Sequence, residues 1–159
     1  MSHVVETQWI GGMQFNADVN GHTIVMDAPE RAGGNDVGPI PKPLVLTALS
    51  GCTGMDVAAL LRKAGKTVDE FAIRVEGQIS PRPPIEYISA HLVYEFRGSQ
   101  DSRDAALDAV TQSQEKLCGV SSMLKKIMPV TWDVLYNGEK IFSNVPVETR
   151  EASATAVAA

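Results

Sequence analysis

Apolar and polar residues alternate through the first 27 positions. The segments VVETQWIG, MQFNADVN and HTIVMD have the two-residue period of strands covered on one face. Asn20-Gly21, between the second and third, predicts a hairpin turn. Residues 28–39, APERAGGNDVGP, break the pattern with Gly, Pro and Asp and predict a loop long enough to be mobile or functional. From Pro41 to Lys63 the chain is almost uncharged and predicts a helix. Pro41 and Pro43 suit its first turn, where no amide proton is needed. Arg62 and Lys63 suit the end that favours cations, and Gly65 suits a stop.

Two long strands are expected next, VDEFAIRVEGQIS and IEYISAHLVYEFRG, joined through PRPP. A second helix starts at Asp101 or Ser102 as cap, carries Ala106, Leu107, Val110, Ser113, Gln114 and Leu117 at helical spacing, and ends near Cys118-Gly119. VSSMLKKI reads as a further short helix with Ser121 or Ser122 near its start. PVTWDVLYN, the turn Asn137-Gly138 and KIFSNV close the chain as a strand pair. The small, aperiodic residues at 147–159 predict a frayed tail. No segment repeats. Three strands, a helix, two strands, helix and two strands make a single α+β domain over 1–146.

Composition narrows the partners. The 159 residues are 44% hydrophobic and 21% charged, with a net charge of −5 and no basic cluster. That argues against nucleic acid or an anionic membrane as partner. The first residues lack a basic start followed by an apolar run, so no secretory signal is expected and the cytoplasm is the default. Residues 43–61 contain no Lys, Arg or Glu and approach the length of a membrane span. A carboxylate at mid-bilayer is costly, however, and Asp56 favours a helix buried in protein.

The chemistry rests on two cysteines, Cys52 and Cys118, 66 positions apart. In a reducing compartment such thiols read as metal ligands, redox partners or packed core. Close-spaced ligand pairs are absent and His3, His22 and His91 are scattered, so neither a metal nor another cofactor is expected. Cys52 shares a helix face with Asp56 and lies well inside the helix, beyond the reach of its N-terminal dipole. A reactive Cys52 therefore needs a cation from elsewhere, with Arg31 in the Gly-rich loop and Arg82 in PRPP as candidates. Cys118 has Lys116, Lys125 and Lys126 within a few positions. Two thiols in one pocket would support a cycle in which one reduces a peroxide and the other condenses with the resulting sulfenic acid.

GPIPKPLVLTALSGCTGMDVAALLRK resembles the first-helix motif of the OsmC/Ohr family, and EKLCGVSSMLKK resembles its second-cysteine motif. NGHTIVMD matches a Gly-His strand of one branch, and the resemblance spans about residues 4–143. It implies an OsmC-like fold, with sheets wrapped around central helices in an intertwined homodimer. It also implies thiol-dependent reduction of organic hydroperoxides, with Cys52 peroxidatic, Cys118 resolving and an external thiol or dithiol as reductant. The peroxidase branches pair the first cysteine with an arginine from the N-terminal strands and a glutamate early in the helix. Here WIGGMQF holds no arginine and PKPLVL no glutamate, so neither role carries over, and Arg31 is the candidate replacement. A dimeric protein that binds a small apolar molecule, with its thiols merely packed, is the alternative.

Overall fold

The computed structural model describes residues 2–146, so the expected tail at 147–159 lies outside the described residues. The chain divides into two compact units, Met1–Thr47 and Ala48 onward. The first holds an antiparallel sheet in the order β1 (Val5–Gly11), β2 (Gln14–Val19), β3 (His22–Met26). Asn20 and Gly21 both have positive φ, at 53° and 78°, as a tight hairpin between right-twisted strands requires. The loop after β3 is fastened rather than loose. Asp27 is buried, and its carboxylate accepts the backbone N–H groups of Ala28 and Asn35, both at 2.8 Å. The Asn35 N–H in particular holds the Asp27 carboxyl below the usual carboxylate range. Gly34 is required there, because a Cβ would stand 1.9 Å from the Ala28 carbonyl oxygen.

Helix α1 (Leu44–Lys63) begins three residues later than the pattern from Pro41 suggests. Pro41, Lys42 and Pro43 form a preceding turn, with the Leu44 N–H bonded to the Pro41 carbonyl. Gly65 stops the helix at φ 65°, and the Lys66 N–H reaches back to the Leu61 carbonyl in a Schellman closure. The second unit continues with β4 (Glu70–Ile79), β5 (Tyr87–Arg97), α2 (Arg103–Gln112), α3 (Gly119–Leu124), β6 (Val130–Tyr136) and β7 (Glu139–Ser143). The strands lie in sequence order in one sheet, and β5–β6 is its parallel pair. Parallel neighbours need a crossover, and α2 and α3 supply it.

One face of this sheet is the core. Leu92, Tyr94 and Phe96 of β5 and Val130, Trp132 and Val134 of β6 meet Leu49, Val57 and Leu61 of α1 and Ala106, Ala109 and Val110 of α2. Phe71 stacks on Phe96 at 4.5 Å between ring centroids. Gly54 of α1 faces inward, where a Cβ would stand 3.2 Å from Ile73 Cδ1, whereas Gly51 faces open space. α1 is long and apolar enough to cross a membrane, with a mean hydropathy of 1.7, but its Leu49, Val57 and Leu61 are spent in this protein core.

Neither expected cap of the second helix acts as one. The Ser102 hydroxyl donates to the Thr67 carbonyl at 2.8 Å, and Asp101 pairs with Lys66. Long-range partners have taken both side chains.

Replacing Gly34 with Ala should abolish slow amide exchange at Asn35, since the Cβ cannot coexist with the Ala28 carbonyl. The β5 amides should change little. Hydrogen exchange read by NMR checks this, and an Asn35 amide still protected in the variant would disprove the fastening.

Candidate active site

The core-facing stripe of α1 is Leu49, Thr53, Val57 and Leu61, one residue per turn. Cys52 and Asp56 flank the polar member of that stripe, and both are half-buried. Residues four apart share a helix face, so the thiol and the carboxylate stand together at the edge of the core. Thr53 is fully buried, with its hydroxyl 2.8 Å from Tyr94 OH and 2.8 Å from Ser113 Oγ.

The second sulfur arrives through an irregular helix. After α2, residues Ser113–Leu117 form a single π turn, and the Cys118 N–H bonds the Ser113 carbonyl, five residues back, at 2.8 Å. Such turns insert a residue and re-aim the chain beyond them. Cys118 itself is extended (φ −65°, ψ 104°), and its Sγ accepts the Ser121 N–H at 3.4 Å. The cysteine thus caps α3, which starts at Gly119, two residues ahead of Ser121. Ser121 is buried, its hydroxyl donating to Gln114 Oε1 at 2.7 Å.

These bonds form a chain whose direction chemistry fixes. A carboxylate only accepts, so Ser113 gives its one hydrogen to Asp56 Oδ2, at 2.9 Å. Thr53 must then donate to Ser113, and Tyr94 to Thr53. Gln114 Nε2 completes the line by donating to Tyr94 OH at 2.6 Å. Burial pushes the Tyr94 phenol up to about 12, so it remains a donor at neutral pH.

The outcome is a cluster of three. Cys52 Sγ, Cys118 Sγ and an Asp56 carboxylate oxygen all lie within 4.8 Å of one another, and both thiols are free. Burial pushes the Cys118 thiol up to about 11; the Ser121 N–H opposes this, while Cys52 and the Asp56 charge reinforce it. Lys125 is the cation on this side. Its ammonium donates to the Gln114 carbonyl and lies 4.7 Å from the Trp132 ring centre. Burial lowers it below the usual lysine range, and the charges of Cys118 and Glu115 pull it back.

The structure brings Cys52 and Cys118 together, with Asp56 beside them on the helix face that it shares with Cys52. Arg31 belongs to the N-terminal unit, exposed in the short turn Glu30–Ala32. Arg82 is exposed in the β4–β5 connection. No histidine belongs to the cluster; His91 pairs with Thr131 at 2.9 Å. Sequence reasoning missed the roles of Thr53, Tyr94, Ser113, Gln114 and Ser121. The available signal was Thr53, Ser113 and Gln114 standing at apolar positions of their helical stripes.

Fold and site together define an α+β protein built around two convergent thiols. Residues 33–133 match the family model described as OsmC-like protein. The chain is 31% identical over 128 residues to protein YhfA of Escherichia coli K12, covering 78% of this chain and 90% of YhfA. It belongs to the OsmC/Ohr family. Among solved structures it resembles an OsmC-like protein from Mycoplasma pneumoniae, with a TM-score of 0.68 and 15% identity over 86% of this chain and 97% of that one. It also resembles an organic hydroperoxide resistance protein OsmC from Legionella pneumophila, with a TM-score of 0.60 and 14% identity over 85% and 97%. At these identities the two structures establish the fold.

A Cys52→Ala variant leaves Cys118 as the one thiol. Its alkylation by iodoacetamide should be slow at neutral pH and should rise with pH towards, but short of, about 11, because the contribution of Cys52 is gone. A midpoint near the free-cysteine value of about 8.5 would contradict the burial argument.

Proposed function

We propose that the protein is a thiol-dependent hydroperoxide reductase of the cytoplasm, using Cys52 as the peroxidatic and Cys118 as the resolving residue. The observation that carries the reading is the approach of two free sulfurs, from segments far apart in sequence, to within 4.8 Å. A peroxide R–OOH meets the half-buried Cys52, whose thiolate attacks the terminal oxygen. The O–O bond breaks, ROH leaves with one proton, and Cys52 becomes a sulfenic acid. Cys118 then attacks the Cys52 sulfur, the S–O bond breaks, and water leaves with the Cys118 proton. A thiol held as high as about 11 gives up that proton reluctantly. Asp56, within reach of both sulfurs, is suited to carry it to the departing hydroxide. An external dithiol reduces the Cys52–Cys118 bond and restores both thiols.

Organic hydroperoxides are the proposed substrates. Support comes from relatives of the same fold named organic hydroperoxide resistance proteins, such as that from Legionella pneumophila. Arg31 is proposed as the cation that stabilises the Cys52 thiolate, in place of the arginine missing from the N-terminal strands. A homodimer is proposed because the outward face of α1 carries Met55, 71% exposed, beside the exposed Ala58 and Ala59. An apolar helix face of this kind is stable when another surface covers it.

A second reading has its own observation. An apolar groove of about 500 Å³, lined by Ala58, Leu61, Val68 and Phe71 among others, could hold a small apolar molecule without using the thiols. Native mass spectrometry of freshly purified protein distinguishes the two: a stoichiometric ligand together with peroxide-inert thiols favours binding.

Consumption of cumene hydroperoxide with dihydrolipoamide should fall to background in Cys52→Ser. Cys118→Ser should still form a sulfenate trapped by dimedone but no internal disulfide. Equal rates in wild type and Cys52→Ser would remove the proposal. Arg31→Ala should lower kcat/KM by on the order of 10²-fold if it supplies the stabilising charge, and an unchanged value would reject that role.

A further inference from the structure

We propose that the reduced protein binds one thiophilic divalent cation, of the Zn²⁺ class, through Cys52 Sγ, Cys118 Sγ and an Asp56 carboxylate oxygen. Nothing in the spacing of the sequence points to such a site, because its ligands come from the middle of α1 and from the junction before α3. In space they form a compact triangle, every pair within 4.8 Å. Tetrahedral zinc with bonds of about 2.0–2.3 Å needs these ligand atoms about 3.5–3.8 Å apart. Movements of roughly an ångström, within the reach of χ1 and χ2 adjustment, close the difference.

The surroundings are those of a metal site in three respects. Each ligand beyond Cys52 is already oriented by a fixed donor: the Ser113 hydroxyl holds Asp56 at 2.9 Å, and the Ser121 N–H holds Cys118 at 3.4 Å. Second-sphere partners of this kind set ligand direction and affinity. Charge also balances. Two thiolates and a carboxylate carry three negative charges; a divalent cation leaves one, and the Lys125 ammonium, whose charge interacts with Cys118, offsets it. Access is open at one side, since Cys52 and Asp56 are half-buried while Cys118 is buried. Three protein ligands with an open side leave the fourth position to water, and the two sulfurs favour Zn²⁺ or Co²⁺ over Mg²⁺ or Ca²⁺. On coordination each thiol loses its proton to solvent and no electrons move.

The proposal stands on the triangle of donors and does not depend on peroxide reduction. Both functions use the same sulfur lone pairs, so metal-loaded protein should be slow towards hydroperoxide and disulfide-bonded protein should bind no metal.

Full-length reduced protein is titrated anaerobically with Co²⁺ alone. The expected result is one ion per chain, with intense thiolate-to-cobalt charge-transfer absorption and the d–d bands of a tetrahedral site, displaced by Zn²⁺. Asp56→Asn should weaken Zn²⁺ binding, measured by competition with a chromophoric chelator, by about 10-fold or more, and should alter the d–d bands. Cys118→Ser should remove part of the charge-transfer intensity. Circular dichroism identifies any variant that fails to fold, and oxidation of the wild-type protein to its disulfide, which alters no residue, must abolish binding in every case. Absent charge-transfer absorption in reduced wild type, or affinity unchanged in a folded Asp56→Asn, overturns the site. Metal binding by a protein whose metal-free, reduced thiols ignore peroxide would overturn the reductase proposal alone.

Discussion

The buried hydroxyl of Thr53 holds the site together. It interrupts an otherwise aliphatic stripe on α1 and is fully enclosed, so it needs partners; an unsatisfied buried hydroxyl costs about 1–3 kcal/mol. It finds three: Tyr94 from the sheet, Ser113 from the end of α2 and, at 3.4 Å, the Gln114 amide. Those contacts tie the helix of the first cysteine to the segment that delivers the second. Gln114 and Ser121 extend the tie to the cap of α3. The line ends on Asp56, the carboxylate beside both sulfurs. Fully satisfied networks of this kind define a single arrangement more sharply than apolar packing does.

Much of the architecture is legible in the sequence because its signals are local. Asn20-Gly21 and Asn137-Gly138 mark type I′ geometry, and Gly65 marks the end of α1; each is a backbone requirement that few residues meet. The strands show in two-residue periodicity. The capping residues are not legible. Ser102 and Asp101 suit an N-cap by type, yet Thr67 and Lys66, distant in sequence, claim them. The internal order of the loop after β3 is not legible either, because its Gly-rich composition hides one buried acceptor, Asp27, that organises it.

The site is legible in part for the same reason. Cys52 and Asp56 share a face by helical arithmetic alone. The approach of Cys118 is carried by resemblance to a family, not by spacing, since no local rule joins residues 66 positions apart. The absence of close-spaced ligand pairs argues against a metal in the sequence. That rule reads ligands contributed by one hairpin or one helix, and the triangle of donors here is assembled by tertiary contact between two.

The π turn at Ser113–Leu117 also sets the direction from which the second sulfur approaches. An ordinary helix would have one residue fewer there. Were the same five residues wound regularly, Cys118 would lie about 100° further around the axis. The thiol would then turn from its counterpart on α1, although no functional side chain had been replaced. The direction of the second sulfur therefore depends on how this stretch winds as well as on which residues it holds.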